Sequence, residues 1–437
     1  MTRERVKASG RKHPPGGGEF LLVFIMVLIV AAVGFTYWLE FAPEAPPELA
    51  AAQTTVRTTQ ASPETKAVTT SGTVQTVPET TVSAAPVTAR ACEILETMEL
   101  DEKICQLFIV THDQLTGVSA VNQSGPTTKA AIEKYPVGGV IYFSPNLVSR
   151  DQCIRMIRDL QSYSRLGLFI SVDEEGGTVT RLAQNSQMGT TKFSSMGVIG
   201  KDEDTDAAYN VGYTIGTEIA ELGFNLDFSP VADVNSNPRN PVIGKRAFHT
   251  DPCIAADLVA ACVEEFTDSG TLCTLKHFPG HGDTLADSHY GAVTIDKTLE
   301  ELMACELVPF RAGIEAGAPV VMVGHITVPE LSEEDVPATF SGEIVTELLR
   351  ETMGFDGVII TDSMQMGAVT NRYASGEAAV KALQAGVDII LMPSRLSDAV
   401  SGIREAVESG ELTEGRIDES VLRILELKLR SGIIPMN

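Results

Sequence analysis

Cations are scarce in this sequence. Its 437 residues include 33 lysines and arginines against 58 aspartates and glutamates, which gives a formal net charge of −25. A chain of this charge repels polyanions, so nucleic acid is excluded as a partner, and neutral or locally recognised substrates fit better. Hydrophobic residues make up 43% of the chain, which is enough for a large core. The length suits two or three average domains, or one barrel with additional segments.

Several motifs are also missing. The seven cysteines are odd in number and none are spaced C-x-x-C, so a zinc–cysteine site is not expected. We expect most of them to be small buried thiols, with one disulfide as the alternative. No cysteine precedes Cys92, so a lipoprotein anchor is not expected. No G-x-G-x-x-G follows the first predicted strand, which argues against a dinucleotide-binding sheet.

The stretch Phe20–Leu39 contains no charged residue. A helix of twenty residues spans about 30 Å, the hydrocarbon thickness of a bilayer. Five lysines and arginines lie before it and three glutamates follow it, so the positive-inside rule places residues 1–19 in the cytoplasm as a basic tail. We therefore predict that residues 20–39 form a single transmembrane helix in the cell membrane, with the following chain on the extracytoplasmic side. A cleaved signal peptide, and hence secretion, is the alternative, although its apolar core is normally about 7–15 residues long.

Residues 40–89 are rich in Thr, Pro, Ser and Ala and contain no large apolar cluster. Such a segment cannot bury enough surface to fold, so we predict a disordered linker that holds a domain away from the membrane. The folded domain is then predicted over residues 90–437.

Apolar runs alternate with helix-like stretches from Arg90 onward. The alternation predicts an α/β fold with a parallel sheet, and eight units predict a (β/α)8 TIM-like barrel, with a doubly wound open sheet as the alternative. The predicted strands are Leu107–Val110, Gly139–Phe143, Leu166–Val172, Phe224–Phe228, Thr271–Leu275, Val320–Val323, Gly357–Thr361 and Val387–Leu391.

Helix-like stretches fill the gaps between several of these runs. Glycines close five of the helical stretches and lead into the next strand, as helix C-terminal glycines do. The predicted helices include Thr205–Leu222, Ile254–Ser269, Leu299–Ala316 and Gly376–Ala385. The closing glycines are Gly223, Gly270, Gly317, Gly354 and Gly386.

Polar residues follow four of the predicted strands. Asp173 follows the third strand, Lys276 and His277 follow the fifth, His325 follows the sixth and Asp362 follows the seventh. In a (β/α)8 barrel the active site lies at the carboxyl ends of the strands. We therefore expect these side chains to converge on one site.

The segment from residue 276 to residue 289 is the densest of these clusters. It holds three of the seven histidines, together with a lysine and two aspartates. Pro279, Gly280 and Gly282 rule out a regular helix, so we predict a loop after the strand. So many titratable groups on one loop indicate a functional site.

Three kinds of site fit these residues. A metal site would use the imidazoles and carboxylates of the loop, although Pro279 and Gly280 prevent a helical H-x-x-x-H arrangement. A carbohydrate-processing site would use a nucleophilic carboxylate and a separate proton donor. A non-catalytic sugar-binding domain on a stalk is the third interpretation. The side chains of the metal interpretation are His277, His281, Asp283, Asp287 and His289.

A resemblance to a known family narrows the choice. The sequence K-H-F-P-G-H-G-D-T at residues 276–284, followed by D-S-H at 287–289, resembles the signature of glycoside hydrolase family 3 in its β-N-acetylglucosaminidase branch. Other segments are similar to motifs of that family and occur in the same order, so the resemblance runs from about residue 92 to the end. These segments are D-E-E-G-G-T-V-T-R at 173–181, P-V-A-D at 230–233, G-K-R-A-F at 244–248 and T-D-S-M at 361–364.

The resemblance implies a role for each site residue. Asp362 would be the nucleophile that forms a covalent glycosyl-enzyme, and an aspartate ionised at neutral pH needs no activating base. His289 would act as general acid and then as general base, with Asp287 orienting its ring. The residues that would bind the sugar are Asp173, Arg181, Arg246, Lys276 and His277. We expect His281 to shape its loop, and His325 and Met392 to line the pocket.

The activity implied by the resemblance is that of an exo-acting, retaining β-N-acetylglucosaminidase (β-N-acetylhexosaminidase) without a metal or organic cofactor. Its substrate would be terminal N-acetylglucosamine on peptidoglycan fragments or related glycans. A β-glucosidase or β-xylosidase of the same family, or a non-catalytic membrane-tethered sugar-binding protein, is the alternative. Thr178 and Ser363 stand where the family often has an arginine and a second acidic residue, so we expect altered contacts to the second sugar or the peptide side of the substrate.

Overall fold

The computed structural model describes residues 84–332 and 334–436. The predicted basic tail (residues 1–19), the predicted transmembrane helix (residues 20–39) and nearly all of the predicted linker lie outside them. Among the described helices, none combines the length and the apolar character that crossing a membrane requires. The transmembrane helix therefore stays a prediction.

Helical structure begins before the predicted start of the folded domain at residue 90. The first described helix is Ala84–Leu95, and Val87 and Ala91 on it are 1% and 0% exposed. Thr88 donates a hydrogen bond to Glu426 of the last helix. Apolar residues at helical spacing in this stretch pack on the domain, so its helix starts inside the segment that composition assigned to the linker.

Ten strands are described, and eight of them correspond to the eight predicted runs. The two others, β6 and β8, are two-residue strands that the hydrophobic pattern did not predict. The strands are β1 Phe108–Thr111, β2 Gly139–Ile141, β3 Phe169–Val172, β4 Leu226–Asp227, β5 Thr274–Phe278, β6 Val293–Thr294, β7 Val320–Val323, β8 Ile326–Thr327, β9 Val358–Thr361 and β10 Ile390–Leu391.

The eight predicted strands follow one another around a ring. One parallel sheet has the order β10-β1-β2-β3-β4 and another the order β5-β7-β9. Single parallel bridges join the two sheets, from Leu226 to Leu272 beside β4 and β5, and from Ile360 to Ile389 beside β9 and β10. This α/β arrangement is consistent with the predicted TIM-like domain, because pairing of β10 with β1 does not occur in an open doubly wound sheet. The short strands β6 and β8 pair with each other outside the ring.

Helices connect the strands on the outside of the ring, together with a π-helix at Glu343–Thr352. The α-helices described are α1 Ala84–Leu95, α2 Leu100–Gln106, α3 His112–Thr116, α4 Pro126–Lys134, α5 Arg150–Gln161, α6 Met196–Ile199, α7 Thr205–Leu222, α8 Pro252–Ser269, α9 Leu299–Ala304, α10 Leu307–Glu315, α11 Gly367–Thr370, α12 Ser375–Ala385, α13 Leu396–Ser409 and α14 Glu414–Arg430. Their buried faces and the strands form one continuous apolar core.

The glycines predicted to end helices adopt the left-handed conformation that this role requires. Gly223, Gly270 and Gly386 follow the last residues of α7, α8 and α12, with φ of 98°, 77° and 112°. Gly317 and Gly354, with φ of 95° and 70°, precede β7 and β9. The predicted punctuation between helix and strand is confirmed at all five positions.

One predicted helix is in fact two. The stretch Leu299–Ala316 was expected to be continuous, but the structure has α9 and α10, with Cys305 between them at φ −136° and ψ −79°. Pro309 has no N–H, so a continuous helix would leave the carbonyl of Cys305 without its partner. The break turns Glu306 inward, where it contacts the Lys297 ammonium.

The predicted boundary of the fifth strand was also wrong. Lys276 and His277 were expected on a loop, yet β5 runs over Thr274–Phe278 and contains both. Their polarity suggested solvent, but both side chains have buried charged partners, so the strand continues through them. The loop begins only at Pro279.

Candidate active site

A cavity of about 400 Å³ opens at the carboxyl ends of the barrel strands. All predicted site residues except Asp287 line it. The lining residues among them are Asp173, Arg181, Arg246, Lys276, His277, His289 and Asp362. The convergence expected from the strand ends is therefore present for Asp173, Lys276, His277 and Asp362, but not for His325. Asp287 reaches the cavity through His289.

Lys276 is the buried centre of an ion cluster on the cavity floor. Its Nζ lies 3.0 Å from Asp173 Oδ1 and 2.6 Å from Glu175 Oε1, and its side chain is only 3% exposed. Burial alone would lower the pKa of Lys276, but the two carboxylates outweigh it and the pKa is raised. Burial likewise opposes ionisation of Asp173 and Glu175, but Lys276 and the neighbouring arginines hold both pKa values below their usual range. The cluster is therefore ionised at neutral pH.

Glu175 joins this cluster to Arg246. The guanidinium grips the carboxylate at two points, Nε to Oε2 at 2.8 Å and Nη2 to Oε1 at 2.7 Å. The Glu175 side chain is 2% exposed, so this bidentate pair fixes the direction of Arg246 in the cavity wall. Sequence reasoning did not select Glu175 as a site residue, although it lies in the acidic triplet after β3.

Glu174, between the two site carboxylates, points away from the cavity and holds its own loop. It accepts hydrogen bonds from the backbone amides of Arg181, Leu182 and Ala183 at 2.7, 2.8 and 3.1 Å. Asp173 and Glu175 therefore line the cavity, whereas Glu174 stabilises the loop that follows them.

His277 is paired with a second residue that sequence reasoning missed, Asp233. His277 Nδ1 lies 2.8 Å from Asp233 Oδ2, and the carboxylate also accepts from the backbone amide of His281. Burial first, and then nearby Arg246, keeps the pKa of His277 well below its ordinary value, so the ring is neutral. Nδ1 then carries the proton that it donates to Asp233, and Nε2, 3.5 Å from Arg246 Nη2, is the acceptor. Burial raises the pKa of Asp233 to about 6.

Asp362 follows β9 directly, and its backbone is fixed there. Its amide donates to Val323 O at 2.9 Å, and its Oδ1 accepts from the amide of Ser363 at 2.7 Å. Burial would raise the pKa of Asp362, but His277, His325, the Ser363 amide and Lys276 together lower it. An ionised carboxylate therefore faces the cavity.

His325 does not line the cavity, contrary to expectation, and instead lies behind the Asp362 segment. It is 1% exposed, with Nδ1 2.8 Å from Thr339 Oγ1 and Nε2 3.0 Å from Ser363 O. A carbonyl can only accept, so Nε2 carries the proton. Met392, the other residue expected to line the pocket, does line it.

His289 and Asp287 lie at the rim on the loop after β5. His289 Nδ1 is 2.7 Å from Asp287 Oδ1, and their side chains are 62% and 31% exposed. The same oxygen accepts from the His289 backbone amide at 2.9 Å, so the carboxylate is bonded to both the backbone and the ring of His289. Burial opposes ionisation of Asp287, but these bonds to His289 lower its pKa. Because Nδ1 is engaged, Nε2 is the ring nitrogen left for proton transfer.

His281 shapes this loop, as predicted. Its Nδ1 lies 2.7 Å from Thr284 Oγ1 and its Nε2 lies 3.1 Å from Ser288 Oγ. It is 2% exposed and also borders the cavity. The two bonds bring Ser288, and with it His289, to the cavity rim.

The side chains of the loop are not arranged as a set of metal ligands. In residues 84–332 and 334–436, no group of three or more His, Cys, Asp or Glu side chains is arranged to hold a metal ion. His277 is bonded to Asp233, and Asp283 lies 3.2 Å from Lys297 Nζ. All seven cysteines, which the structure describes, are free thiols.

Comparison with known proteins identifies the family of this chain. Residues 99–427 match the glycosyl hydrolase family 3 N-terminal domain. The chain belongs to glycosyl hydrolase family 3. It is therefore a glycoside hydrolase by family, and its α/β fold is consistent with that of a family 3 domain.

Relatives with known names cover most of the described domain. β-Hexosaminidase A of Pseudoalteromonas piscicida is 35% identical over 337 residues, which are 71% of this chain and 56% of that protein. β-Hexosaminidase LpqI of Mycobacterium tuberculosis is 34% identical over 336 residues, 75% of this chain and 82% of that protein. The solved structure of a family 3 β-N-acetylglucosaminidase from Paenibacillus sp. str. FPU-7 is 38% identical with a TM-score of 0.72, and covers 77% of this chain and 63% of that one. This chain thus spans little more than half of the first relative.

Proposed function

We propose that this family 3 protein is an exo-acting, retaining β-N-acetylglucosaminidase that releases terminal N-acetylglucosamine. The observation that carries the proposal is the pairing of an ionised Asp362 in the cavity with a His289–Asp287 dyad at its rim. The similarity to two β-hexosaminidases and a β-N-acetylglucosaminidase supports the substrate class. A non-catalytic sugar-binding protein would have no use for a nucleophile and a proton donor lining one cavity.

In the first step, Asp362 acts as nucleophile. A carboxylate oxygen attacks the anomeric carbon, the bond from that carbon to the leaving oxygen breaks, and His289 Nε2 gives its proton to the departing oxygen. The product is a covalent glycosyl ester on Asp362 with inverted configuration. Asp287 stabilises the imidazolium that carries the proton before transfer, because its carboxylate accepts from Nδ1.

In the second step, neutral His289 removes a proton from water. The water oxygen attacks the anomeric carbon and the ester bond to Asp362 breaks, which restores the carboxylate and the protonated imidazole. Two inversions give net retention of configuration. A histidine thus takes the part that a second carboxylate plays in most retaining glycosidases.

The ion cluster on the cavity floor supplies the sugar-binding groups in this proposal. Asp173, Lys276 and His277 offer acceptors and donors to the sugar hydroxyls, which need partners once water is removed. Arg246, held by Glu175, and Arg181, which lies 5.4 Å from the Phe143 ring centroid, would face the N-acetyl group and the reducing side. Preorganised charges of this kind bind without reorganising during the reaction.

The membrane anchor and linker predicted over residues 20–89 support an extracytoplasmic location for the reaction. A catalytic domain tethered on the outer side of a cell membrane lies next to the wall, so peptidoglycan fragments are the proposed natural substrates. The proposal places no resident metal or cofactor in the reaction.

The test is a direct assay of the full chain in detergent. We would measure release of 4-nitrophenol from the β-N-acetylglucosaminide and the β-glucoside, for the wild type and for Asp362→Asn, His289→Ala and the surface control Asp159→Asn. We expect turnover of the N-acetyl substrate, loss of at least about a hundredfold in the first two variants, and no loss in the control. Preference for the glucoside would replace this proposal by a β-glucosidase. No turnover, with binding of wall fragments, would leave a sugar-binding protein.

A further inference from the structure

The loop between β5 and β6, residues 279–292, carries the proposed proton donor and is called here the proton-donor loop. Three successive carbonyls of this loop accept hydrogen bonds from α11 and the residue that ends it. The bonds run from Gly367 N to His289 O at 3.0 Å, from Ala368 N to Ser288 O at 3.2 Å, and from Asn371 Nδ2 to Tyr290 O at 3.3 Å. The position of His289 is thus tied, through its own backbone, to the segment that begins with Asp362.

The donor side of this contact is anchored in the barrel. The amide of Met364 donates to Leu391 O at 2.9 Å, and the Ser363 carbonyl accepts from buried His325 at 3.0 Å. Asp362 itself is bonded to Val323. Residues 362–366 are therefore held by the ends of β7 and β10, and α11 follows them directly.

The loop side is much more exposed. Tyr290 is 84% exposed and Leu285 is 62% exposed, and the His289 side chain is 62% exposed. Side-chain packing contributes little at these three positions. The backbone bonds to α11 therefore locate His289 together with the contact of buried Ser288 with His281.

Gly367 allows the two backbones to come this close. A Cβ at residue 367 would lie 2.9 Å from His289 O, Tyr290 C and Tyr290 O. Gly367 has no positive φ, so an alanine there is compatible with its own backbone conformation. The cost of a methyl group would therefore fall on the exposed loop and leave α11 in place.

We propose that Gly367 is a positioning residue that sets the separation of His289 from Asp362. The inference rests on the proposed function and deepens it. A larger residue moves the proton donor outward and leaves the nucleophile where it is, so the reaction loses proton transfer and keeps nucleophilic attack.

The test compares Gly367→Ala with Gly342→Ala. Gly342 also has a negative φ, of −62°, and its added Cβ meets nothing within 4 Å. Two aryl β-N-acetylglucosaminides are used. The 2,4-dinitrophenyl compound leaves without a proton, whereas the 4-methoxyphenyl compound requires one. For Gly367→Ala we expect kcat/KM to fall about tenfold or more with the methoxyphenyl substrate and by less than about threefold with the dinitrophenyl substrate.

Azide gives a second measurement on the same variant. Its terminal nitrogen attacks the anomeric carbon of the glycosyl ester without general-base help, forms the β-glycosyl azide and frees the Asp362 carboxylate. We expect azide to raise kcat of Gly367→Ala on the dinitrophenyl substrate and to leave kcat of Gly342→Ala unchanged. Amide deuterium exchange of residues 285–292, which needs no activity, should be faster in Gly367→Ala only.

The outcomes separate the two proposals. Equal loss with both substrates, or no loss and no change in exchange, overturns the role of Gly367. Failure of the wild type on both substrates overturns the proposed function, and exchange of residues 285–292 then still decides whether Gly367 holds the loop. Should Gly367→Ala not fold, Asn371→Ala removes one exposed contact to Tyr290 O, and the same leaving-group dependence is expected at about threefold. Its absence would count against the inference.

Discussion

Lys276 shows how the site tolerates a buried charge. Two carboxylates contact its ammonium, and neither they nor the lysine are accessible to much water. Such a pair adds little net stability over an apolar core, but the loss of one partner leaves uncompensated charge in a low dielectric. The arrangement therefore provides rigid charges that face the substrate. Its disruption is expected to cost much of the protein's stability.

We predict that Lys276→Met lowers the free energy of unfolding by about 3 kcal/mol or more. Asp173 and Glu175 would then face each other with only arginine compensation, and activity should fall together with stability. Urea unfolding at neutral pH measures the change. Lys245→Met, on the exposed neighbour of Arg246, is the control and should change stability by less than about 0.5 kcal/mol. Comparable values for the two variants would show that the cluster is not the source of the loss.

At the scale of elements, the break between α9 and α10 serves the proton-donor loop. It places Glu306, which is 0% exposed, against Lys297, and Lys297 Nζ also lies 3.2 Å from Asp283 Oδ2. Asp283 is on the loop and Lys297 is just beyond β6, so one ammonium joins both flanks of the segment that carries the dyad. Ser236 Oγ donates a hydrogen bond to the same oxygen of Glu306, Oε1, at 3.2 Å.

We predict that Lys297→Met destabilises the protein by about 2–4 kcal/mol, because the buried Glu306 carboxylate loses its countercharge. The double variant Lys297→Met/Glu306→Gln should recover part of the loss, since no buried charge remains. Chemical denaturation of the wild type, both single variants and the double variant gives the coupling free energy. Additive effects would mean that the two side chains do not stabilise each other.

Helix α14 carries a different buried cation, Lys428. Its side chain is 0% exposed, its Nζ donates to Gln106 Oε1 at 3.0 Å and lies 4.9 Å from the Phe169 ring centroid. No carboxylate contact of Lys428 occurs among the ion pairs of the described residues, in contrast to Lys276. Burial accordingly lowers the pKa of Lys428 to about 7.

This lysine makes stability depend on pH with a definite sign. The unfolded chain keeps a lysine pKa near 10.5 while the folded value is about 7, so between these values the unfolded state binds the extra proton. Stability due to this group therefore rises with pH across the window and is lost as pH falls toward 7. We predict that Lys428→Met removes this rise and stabilises the protein more at pH 7 than at pH 9. Urea unfolding at both pH values, with exposed Lys192→Met as control, tests it. A Lys428→Met effect independent of pH would show that the lysine is charged when folded.

At the scale of the whole molecule, the alternation of strands and helices was predicted more completely than the contacts within the site. Eight apolar runs and five closing glycines were enough to predict a parallel α/β ring, because both signals are local. The fifth strand was misplaced because Lys276 and His277 have buried partners that are distant in sequence. Glu175 and Asp233 were missed for the same reason, since a buried carboxylate is recognisable only once its cation or imidazole has been placed beside it. The two-residue strands β6 and β8 are too short for any periodicity to predict.

Composition alone placed the start of the folded domain at residue 90, which lies inside a helix that begins at Ala84. Arg90, at the predicted start of the domain, lies inside α1 and contacts Glu93 at 2.8 Å. Two other basic residues, Arg57 and Lys66, lie in the segment that we propose to be a linker. Trypsin cleaves after each of these residue types, so the three positions distinguish an exposed linker from a packed helix.

We predict that brief trypsin treatment of membranes containing the full chain cuts after Arg57 and Lys66 and spares Arg90, because a protease needs locally unfolded chain. Activity should move from the membrane pellet to the supernatant, with kcat/KM unchanged within about twofold, since the domain that bears the proposed site has its own apolar core. Mass spectrometry identifies the new N-terminus and the assay follows the enzyme. Activity that is soluble before any trypsin is added would favour the cleaved signal peptide over the anchor. A fragment that begins after Arg90 and keeps full activity would show that helix α1 is dispensable, and would restore the boundary at residue 90.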